Sequence, residues 1–342
     1  MTAPGDRGGG SGPLQARLAM LERLRSSGEP VVDRRLEWAA AMLADGDAAG
    51  AAALLAETTL MAPEWPTVWV RLGDAYAADG APQAAGEAYR IAVEKDPADT
   101  LGAGLKRARL GIGAPPAAPP PDHIGTLFDS YAPRFEELLV GTLGYRAPAL
   151  VATAVAAARP GPDPRFAAAL DLGCGTGLAG VAVKPWCARL VGLDLSPAML
   201  AEAERKGVYD RLFVGEAVAA LASGGPHALP DERFDLVLAA DVLCYLGDLA
   251  PLFVVLAGRV APGGLVAVTT ERAAPGEAAA GWALRDSLRY AHDPAYVAAV
   301  AAAGGLTLVS ADPEVLRQDR GMPIEGTVSV FTAPLDADIL RP

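Results

Sequence analysis

An α/β domain built on a mainly parallel sheet, preceded by a short all-α repeat module, is the fold class this sequence predicts. Three observations predict it. Between residues 166 and 270, short apolar runs alternate with helical stretches, the signature of strands with crossover helices on both faces. The first of those runs breaks into a glycine-rich loop. Residues 35–97 repeat themselves with a 34-residue period, the mark of stacked helix pairs.

Composition sets the bounds. The 342 residues are 51% hydrophobic and 20% charged, enough to bury a sizeable core and long enough for two domains. Four segments follow from the pattern: a Gly/Pro-rich tail at 1–13, a helical module at 14–112, a proline-rich linker at 113–122 (GAPPAAPPPD) and a catalytic domain at 123–342. The net charge is −12 and no basic run is long enough to neutralise a phosphate backbone, so nucleic acid is not an expected partner. The tail lacks the apolar core of a signal peptide, and no stretch is long and apolar enough to span a membrane. Cys174, Cys187 and Cys244 are the three cysteines. They form no CxxC pair, which argues against a zinc site and suits a reducing compartment, so a cytoplasmic protein is expected.

In the module, Leu14, Leu18, Leu21 and Leu24 mark one amphipathic helix. Trp69, Leu72, Gly73, Tyr76, Ala85, Tyr89, Ala92 and Pro97 then fall at the spacings of the tetratricopeptide pattern. A weaker copy precedes them (Arg35, Trp38, Ala39, Met42, Ala51, Leu55, Thr58, Pro63), and residues 101–110 form a capping helix. Two copies bury little core by themselves. The module is therefore expected to act as a scaffold or self-association element, or as a groove for a protein partner.

The second half is read element by element. Helices are expected over 123–139, with Pro133 opening a second one, and over 147–158, 197–206 and 249–260. Strands are expected at 166–172, 189–193, 211–214, 234–239 and 265–270. Ligands of such sheets bind beyond the carboxyl ends of the strands. The first strand ends in Asp171-Leu-Gly-Cys-Gly-Thr-Gly177, where Gly173, Gly175 and Gly177 let the backbone turn tightly and approach a ligand. Asp171 suits a ligand bearing an ammonium group and would repel a pyrophosphate. Asp194, ending the second strand, can accept from two ribose hydroxyls. Dinucleotide enzymes share that feature, so it does not discriminate. Ser196 reads as a helix N-cap with Pro197 behind it. Glu216, after the third strand, can accept from an adenine amino group or stand as a solvated acid. Asp241, after the fourth, borders the reacting centre.

DLGCGTG (171–177), GLDLSPAML (192–200), FDLVLAADVL (234–243) and APGGLVAV (261–268) together resemble the class I S-adenosylmethionine-dependent methyltransferases. LFDSYAPRFEELLVGTLGYRAP (127–148), DVLCYLGDL (241–249), RYAHDPAYV (289–297) and LRQDRGMPIEGTVSV (316–330) are similar to the TPR-containing members of that class. The resemblance implies a Rossmann-like sheet of seven strands, the last antiparallel, with 306–310 and 327–332 as its final pair. It also implies S-adenosyl-L-methionine as cofactor. The cofactor contacts it implies are Tyr131, Asp171, Gly173, Cys174, Gly175, Gly177, Asp194, Leu195, Met199, Glu216, Ala217, Asp241 and Val242. Glu216 departs from the Asp more usual in the class.

Methyl transfer asks a protein mainly for positioning and desolvation, with a base only where the acceptor must lose a proton. His292 and Tyr245 are the catalytic candidates, His292 having helix capping as its structural alternative. Phe128 and Tyr131 are read as a lid helix or as core packing, and Tyr290 as a further pocket residue. His123 and His227 do not read as ligands, and no metal-ligand spacing appears. The expected acceptor is a small molecule methylated on O or N. A protein or carrier-bound substrate recruited by the module, or an adaptor that keeps the fold without catalysis, are the alternatives.

Overall fold

The computed structural model describes residues 20–137, 143–160, 166–222, 228–319 and 321–335. His227 and the 1–13 tail lie outside them. The chain divides into two compact units, residues 1–114 and 115–342, so the division falls inside the predicted linker.

The first unit is a run of paired helices: α1 (Pro30–Ala44), α2 (Ala48–Met61), α3 (Pro66–Ala78), α4 (Pro82–Lys95) and α5 (Ala103–Arg109). Each of α1, α3 and α4 begins on a proline, whose missing N–H costs nothing in the first turn. Asp47 caps α2 by accepting from Gly50 N–H at 2.9 Å. Small residues let the helices approach. A Cβ on Gly73 would collide with the Tyr89 ring, and Tyr89 is fully buried with its hydroxyl donating to Asp74 at 2.8 Å. Residues 20–25 are helical and tied on by Trp65 Nε1, which donates to the Arg23 carbonyl at 2.8 Å, and by Thr67 Oγ1, which donates to the Leu24 carbonyl at 2.6 Å.

The second unit opens with α6 (Pro121–Tyr131), which runs into a short 3-10 turn at Ala132–Arg134, and then α7 (Ala147–Ala158). The sheet strands are β1 (Phe166–Leu172), β2 (Cys187–Asp194), β3 (Arg211–Val214), β4 (Phe234–Ala239), β5 (Val260–Arg272), β6 (Trp282–Leu284), β7 (Tyr290–His292), β8 (Thr307–Asp319) and β9 (Met322–Thr332). Between them lie α8 (Leu178–Val183), α9 (Pro197–Lys206), α10 (Ala217–Leu221), α11 (Ala250–Ala257) and α12 (Pro294–Ala303).

β3, β2, β1, β4 and β5 pair in that order, all parallel, and β9 returns antiparallel along β5 with β8 outside it. These seven strands have the predicted arrangement. The structure adds a hairpin, β6–β7, whose second strand runs parallel to the far end of β5 through Glu271 opposite Ala291. The described sheet therefore has nine strands rather than seven. Two cores flank it. Val151 and Val155 of α7 cover Leu190, Leu236 and Val330 on one face; Leu252, Phe253 and Leu256 of α11 and Val297 of α12 cover Leu170, Val237 and Phe331 on the other. β8 is an outer strand, exposed over most of its first half. Its far end is covered where Gln318 N–H donates to the Leu143 carbonyl at 2.7 Å and Arg146 N–H to the Leu316 carbonyl at 2.9 Å.

The proline-rich stretch does not hang free of the second unit. Tyr290 donates its hydroxyl to the Pro116 carbonyl at 2.7 Å, and the Ala117 carbonyl accepts from Gly247 and Asp248 N–H. Among the described residues, no helix is long and apolar enough to cross a membrane.

Candidate active site

The carboxyl ends of β1, β2, β3 and β4 bring Asp171, Asp194, Glu216 and Asp241 to one rim, as parallel pairing requires. Each carboxylate is engaged differently.

Asp171 is buried. Its Oδ2 accepts from the Tyr209 hydroxyl at 2.7 Å, while its Oδ1 is buried with no partner. Burial, aided by the nearby Asp194 charge, raises its pKa to about 7. Tyr209 is a residue that sequence reasoning missed. Its ring lies under the glycine loop, where a Cβ on Gly177 would sit 2.9 Å from it and one on Gly180 would meet its hydroxyl. Burial and the Asp171 charge push its own pKa up, so it stays a donor.

Gly173, Gly175 and Gly177 all have positive φ, at 60°, 54° and 93°. A side chain on Gly173 would strike Val242. One on Gly175 would find a single neighbour, the Phe135 ring, at 3.9 Å. The loop is thus packed from below and open at Gly175. Cys174 is buried beneath it, with its N–H donating to the Leu193 carbonyl at 3.0 Å and its carbonyl accepting from Gly177 N–H at 2.8 Å.

Asp194 accepts from Gly175 N–H at 2.8 Å on Oδ2 and from Ser196 N–H at 2.8 Å on Oδ1, and burial lifts its pKa to about 6. Each oxygen keeps a lone pair. Ser196 is the N-cap of α9, accepting from Met199 N–H at 3.1 Å. Met199 itself is fully buried. Leu195 and Ala217 are half-buried beside the rim. Both oxygens of Glu216 are turned to capping α10, accepting from Val218 N–H at 2.9 Å and Ala219 N–H at 2.7 Å. The longer arm folds back on its own helix, which leaves Glu216 less free for an adenine than expected.

Asp241 has φ 58°, a left-handed backbone unusual outside glycine. Its Oδ1 pairs with Arg317 Nη1 at 2.5 Å, and Arg317, only 1% exposed, also pairs with buried Glu271. Arg285 reaches Glu271 at 3.3 Å and Glu277 at 2.7 Å. Arg317 was invisible as a partner in the sequence, since 76 residues separate it from Asp241.

The segment ahead of the sheet closes on the rim through residues other than Tyr131, which is 47% exposed. Asp129 Oδ1 accepts from Ser196 Oγ at 2.5 Å and from Ala198 N–H at 3.3 Å. Glu136 accepts from Thr176 Oγ1 at 2.6 Å and pairs with Lys206, whose Nζ also donates to the Thr176 carbonyl at 2.8 Å. Phe128 stands edge-on to Phe135 at 6.0 Å and to Tyr245 at 5.3 Å. Of the two predicted lid aromatics, Phe128 faces inward and Tyr131 outward.

His292 is corrected as a catalytic candidate. It is fully buried, its Nε2 lies 3.1 Å from the Gly247 carbonyl and its ring stacks on Tyr296 at 6.3 Å. Burial lowers its pKa to about 4, so it is neutral and shut off from the rim. Tyr290 is likewise buried, against Trp282. Tyr245 does line the rim. Its hydroxyl accepts from Arg289 Nε at 3.1 Å, and burial pushes its pKa up, which makes it a wall and a donor rather than a base. Among the described residues, no group of His, Cys, Asp and Glu could hold a metal ion.

Residues 170–268 match the family model of a methyltransferase domain. The matched stretch runs from β1 to β5 and contains every rim acid except Arg317's second partner, Glu271. The chain is 37% identical over 146 residues to methyltransferase-like protein 27 of Homo sapiens, covering 42% of this chain and 56% of that one. It is 42% identical over 102 residues to trans-aconitate 2-methyltransferase of Methylobacterium radiotolerans, covering 29% and 36%. The chain thus spans roughly a third to a half of these curated relatives' lengths. Among solved structures, the [4+2]-cyclase SpnF is similar with a TM-score of 0.49 at 18% identity, covering 64% of this chain and 98% of that one. The DhpI–SAH complex is similar with a TM-score of 0.44 at 20% identity, covering 62% and 95%.

The residues at the rim fit S-adenosylmethionine by their own chemistry. The unpartnered Asp171 Oδ1 offers a buried acceptor for the ammonium, the open face at Gly175 offers a cradle without a Cβ, and Asp194 retains lone pairs for ribose hydroxyls.

Proposed function

We propose that the chain is an S-adenosylmethionine-dependent methyltransferase acting on a small-molecule O or N acceptor. The observation that carries the donor half is the buried, unpartnered Asp171 oxygen below an open glycine loop. Leaving such an atom unsatisfied costs about 1–3 kcal/mol, a penalty a cationic ligand removes. The trans-aconitate 2-methyltransferase relative supports a small acceptor.

When bound, S-adenosylmethionine supplies a methyl group already activated by sulfonium charge. The chain's residues then bind, orient and exclude water. Asp171 takes the ammonium and Asp194 the ribose hydroxyls, while Gly175, lacking a Cβ, lets the ligand approach the loop. Phe128, Phe135 and Tyr245 keep the far side apolar, which would exclude water from a bound donor and acceptor. Asp241 is tied to Arg317, Tyr245 holds its proton and His292 is sealed off. Among the described residues of this wall, then, the titratable groups serve poorly as a base, and acceptor atoms that arrive with a free lone pair fit best.

Calorimetric titration with S-adenosylhomocysteine is the test. Micromolar-range binding that Asp171→Asn weakens supports the reading; no heat and no thermal shift sinks it.

The helical module is proposed to be tetratricopeptide-like, on the 34-residue period and the Gly73–Tyr89 approach. Recruitment of a protein substrate is the second reading, favoured by exposed Val31, Trp38, Leu60 and Met61 on α1 and α2. Trp38→Ala in the full chain should leave methylation of a free small molecule unchanged; loss of methylation of a protein substrate, with small-molecule turnover intact, would favour recruitment.

A further inference from the structure

Three arginines stand beyond the ends of β4 and β5, and they differ in one respect. Arg317 is held by Asp241 and Glu271, and Arg285 by Glu271 and Glu277. Arg289 has no carboxylate partner among the described residues. Its one hydrogen bond there is from Nε to the Tyr245 hydroxyl, with the guanidinium 5.7 Å from the centre of that ring. A guanidinium carries five N–H donors and keeps its charge at any working pH. One is used among the described residues, and Arg289 is only half-buried, so its terminal fork is the part of the side chain left for a ligand.

The chain of contacts from the donor loop leads to this fork. Gly175 faces Phe135, Phe135 meets Phe128, Phe128 meets Tyr245, and Arg289 lies over Tyr245. The backbone that presents it is strained. Leu288, the preceding residue, has φ 60° in the turn between β6 and β7, closed by Leu288 N–H donating to the Arg285 carbonyl at 2.9 Å. A left-handed leucine costs about 1–2 kcal/mol, and such strain concentrates where a side chain must be aimed. Among the described residues of this unit, the other non-glycine residue in that conformation is Asp241, on the same wall.

We propose that the acceptor is an organic acid whose carboxylate is clamped by the terminal fork of Arg289, with Tyr245 as the flat wall beside it. This rests on the methyltransferase reading and names its substrate class. A planar guanidinium binds a carboxylate through two parallel hydrogen bonds, which Asp241, whose charge reaches Arg289 without forming an ion pair, does not supply, and a cationic acceptor would be repelled.

The test uses the full chain saturated with S-adenosylhomocysteine. Thermal shift and calorimetry are run with succinate, glutarate, benzoate and phenylacetate, each against its amide. Carboxylates should bind and amides should not. Arg289→Gln should lose about tenfold or more in carboxylate affinity, Arg289→Lys should recover part of it, and both should bind S-adenosylhomocysteine like the parent chain, which shows they are folded. Equal binding of acids and amides, no binding of any acid, or acid affinity unchanged in Arg289→Gln overturns the proposal. If the parent chain fails to bind S-adenosylhomocysteine, it is instead the methyltransferase reading that falls.

Discussion

At the scale of single residues, Asp171 makes donor binding depend on pH in a definite direction. Its pKa in the folded chain is raised from 3.8 to about 7. The folded state therefore holds a proton that the unfolded state has lost, and the ligand-free fold loses stability as pH climbs between those values. A cationic ligand needs the ionised form. Affinity for S-adenosylmethionine should rise with pH up to about 7 and level off above it, with a proton released on binding below that point. In Asp171→Asn the slope should flatten and affinity should fall about tenfold or more; an unaltered slope would assign the proton elsewhere. Arg317 makes a different prediction. Arg317→Met strips Asp241 of its ion-pair partner and leaves buried Glu271 with Arg285 alone, which should cost about 3–5 kcal/mol in urea unfolding. Neither consequence could be read from the sequence. Asp171 and Asp194 were legible as strand-end acids, but Tyr209 and Arg317 lie 38 and 76 residues from the acids they serve, and no local pattern marks such pairs.

Among the elements, α6 is held over the rim by a polar clasp rather than by the aromatic ring expected to close it. Asp129 bridges to the cap of α9, so Asp129→Ala should loosen that closure. KM for the donor should rise several-fold, roughly 3–10, with kcat at saturating donor nearly constant. In the helical module, Gly73→Ala forces the Tyr89 ring aside and should cost about 1–3 kcal/mol, read from the denaturant midpoint. Legibility at this scale followed burial. β1, β4, α7 and α9 have the bounds that apolar runs and the Ser196-Pro197 cap predict, because parallel strands covered on both faces read as unbroken apolar segments, while the little-covered β3 was legible from the apolar run Leu212-Phe213-Val214 alone. β8 was recognised only over 306–310. Its outer position exposes most of its side chains, so its continuation through Asp312, Pro313 and Glu314 carries no apolar alternation. The β6–β7 hairpin, three residues a side, was too short to register.

For the whole molecule, the two units each carry their own core, so a destabilising change in one should leave the other's transition in place. Gly73→Ala and Arg317→Met should then lower different steps of a two-step calorimetric melt; a single shared transition would refute independence. The division at residues 114/115 was legible because proline-rich stretches resist packing into either helix or sheet. That Pro116 and Ala117 are nonetheless fastened to the second unit was not, since the bonds run through their carbonyls, which every residue possesses.

The outermost strand has one more implication. A sheet with free backbone along its margin is a template for another chain, and a protein this rich in alanine and valine would be expected to clump through it. Here the outer strands β3 and β6 are four and three residues long, and the long one, β8, places a proline, which has no backbone N–H, between two acidic residues. Those three adjacent side chains oppose edge-to-edge pairing along β8. Exchanging Pro313 for valine, with Asp312 and Glu314 neutralised, should turn a stable solution into one that scatters light.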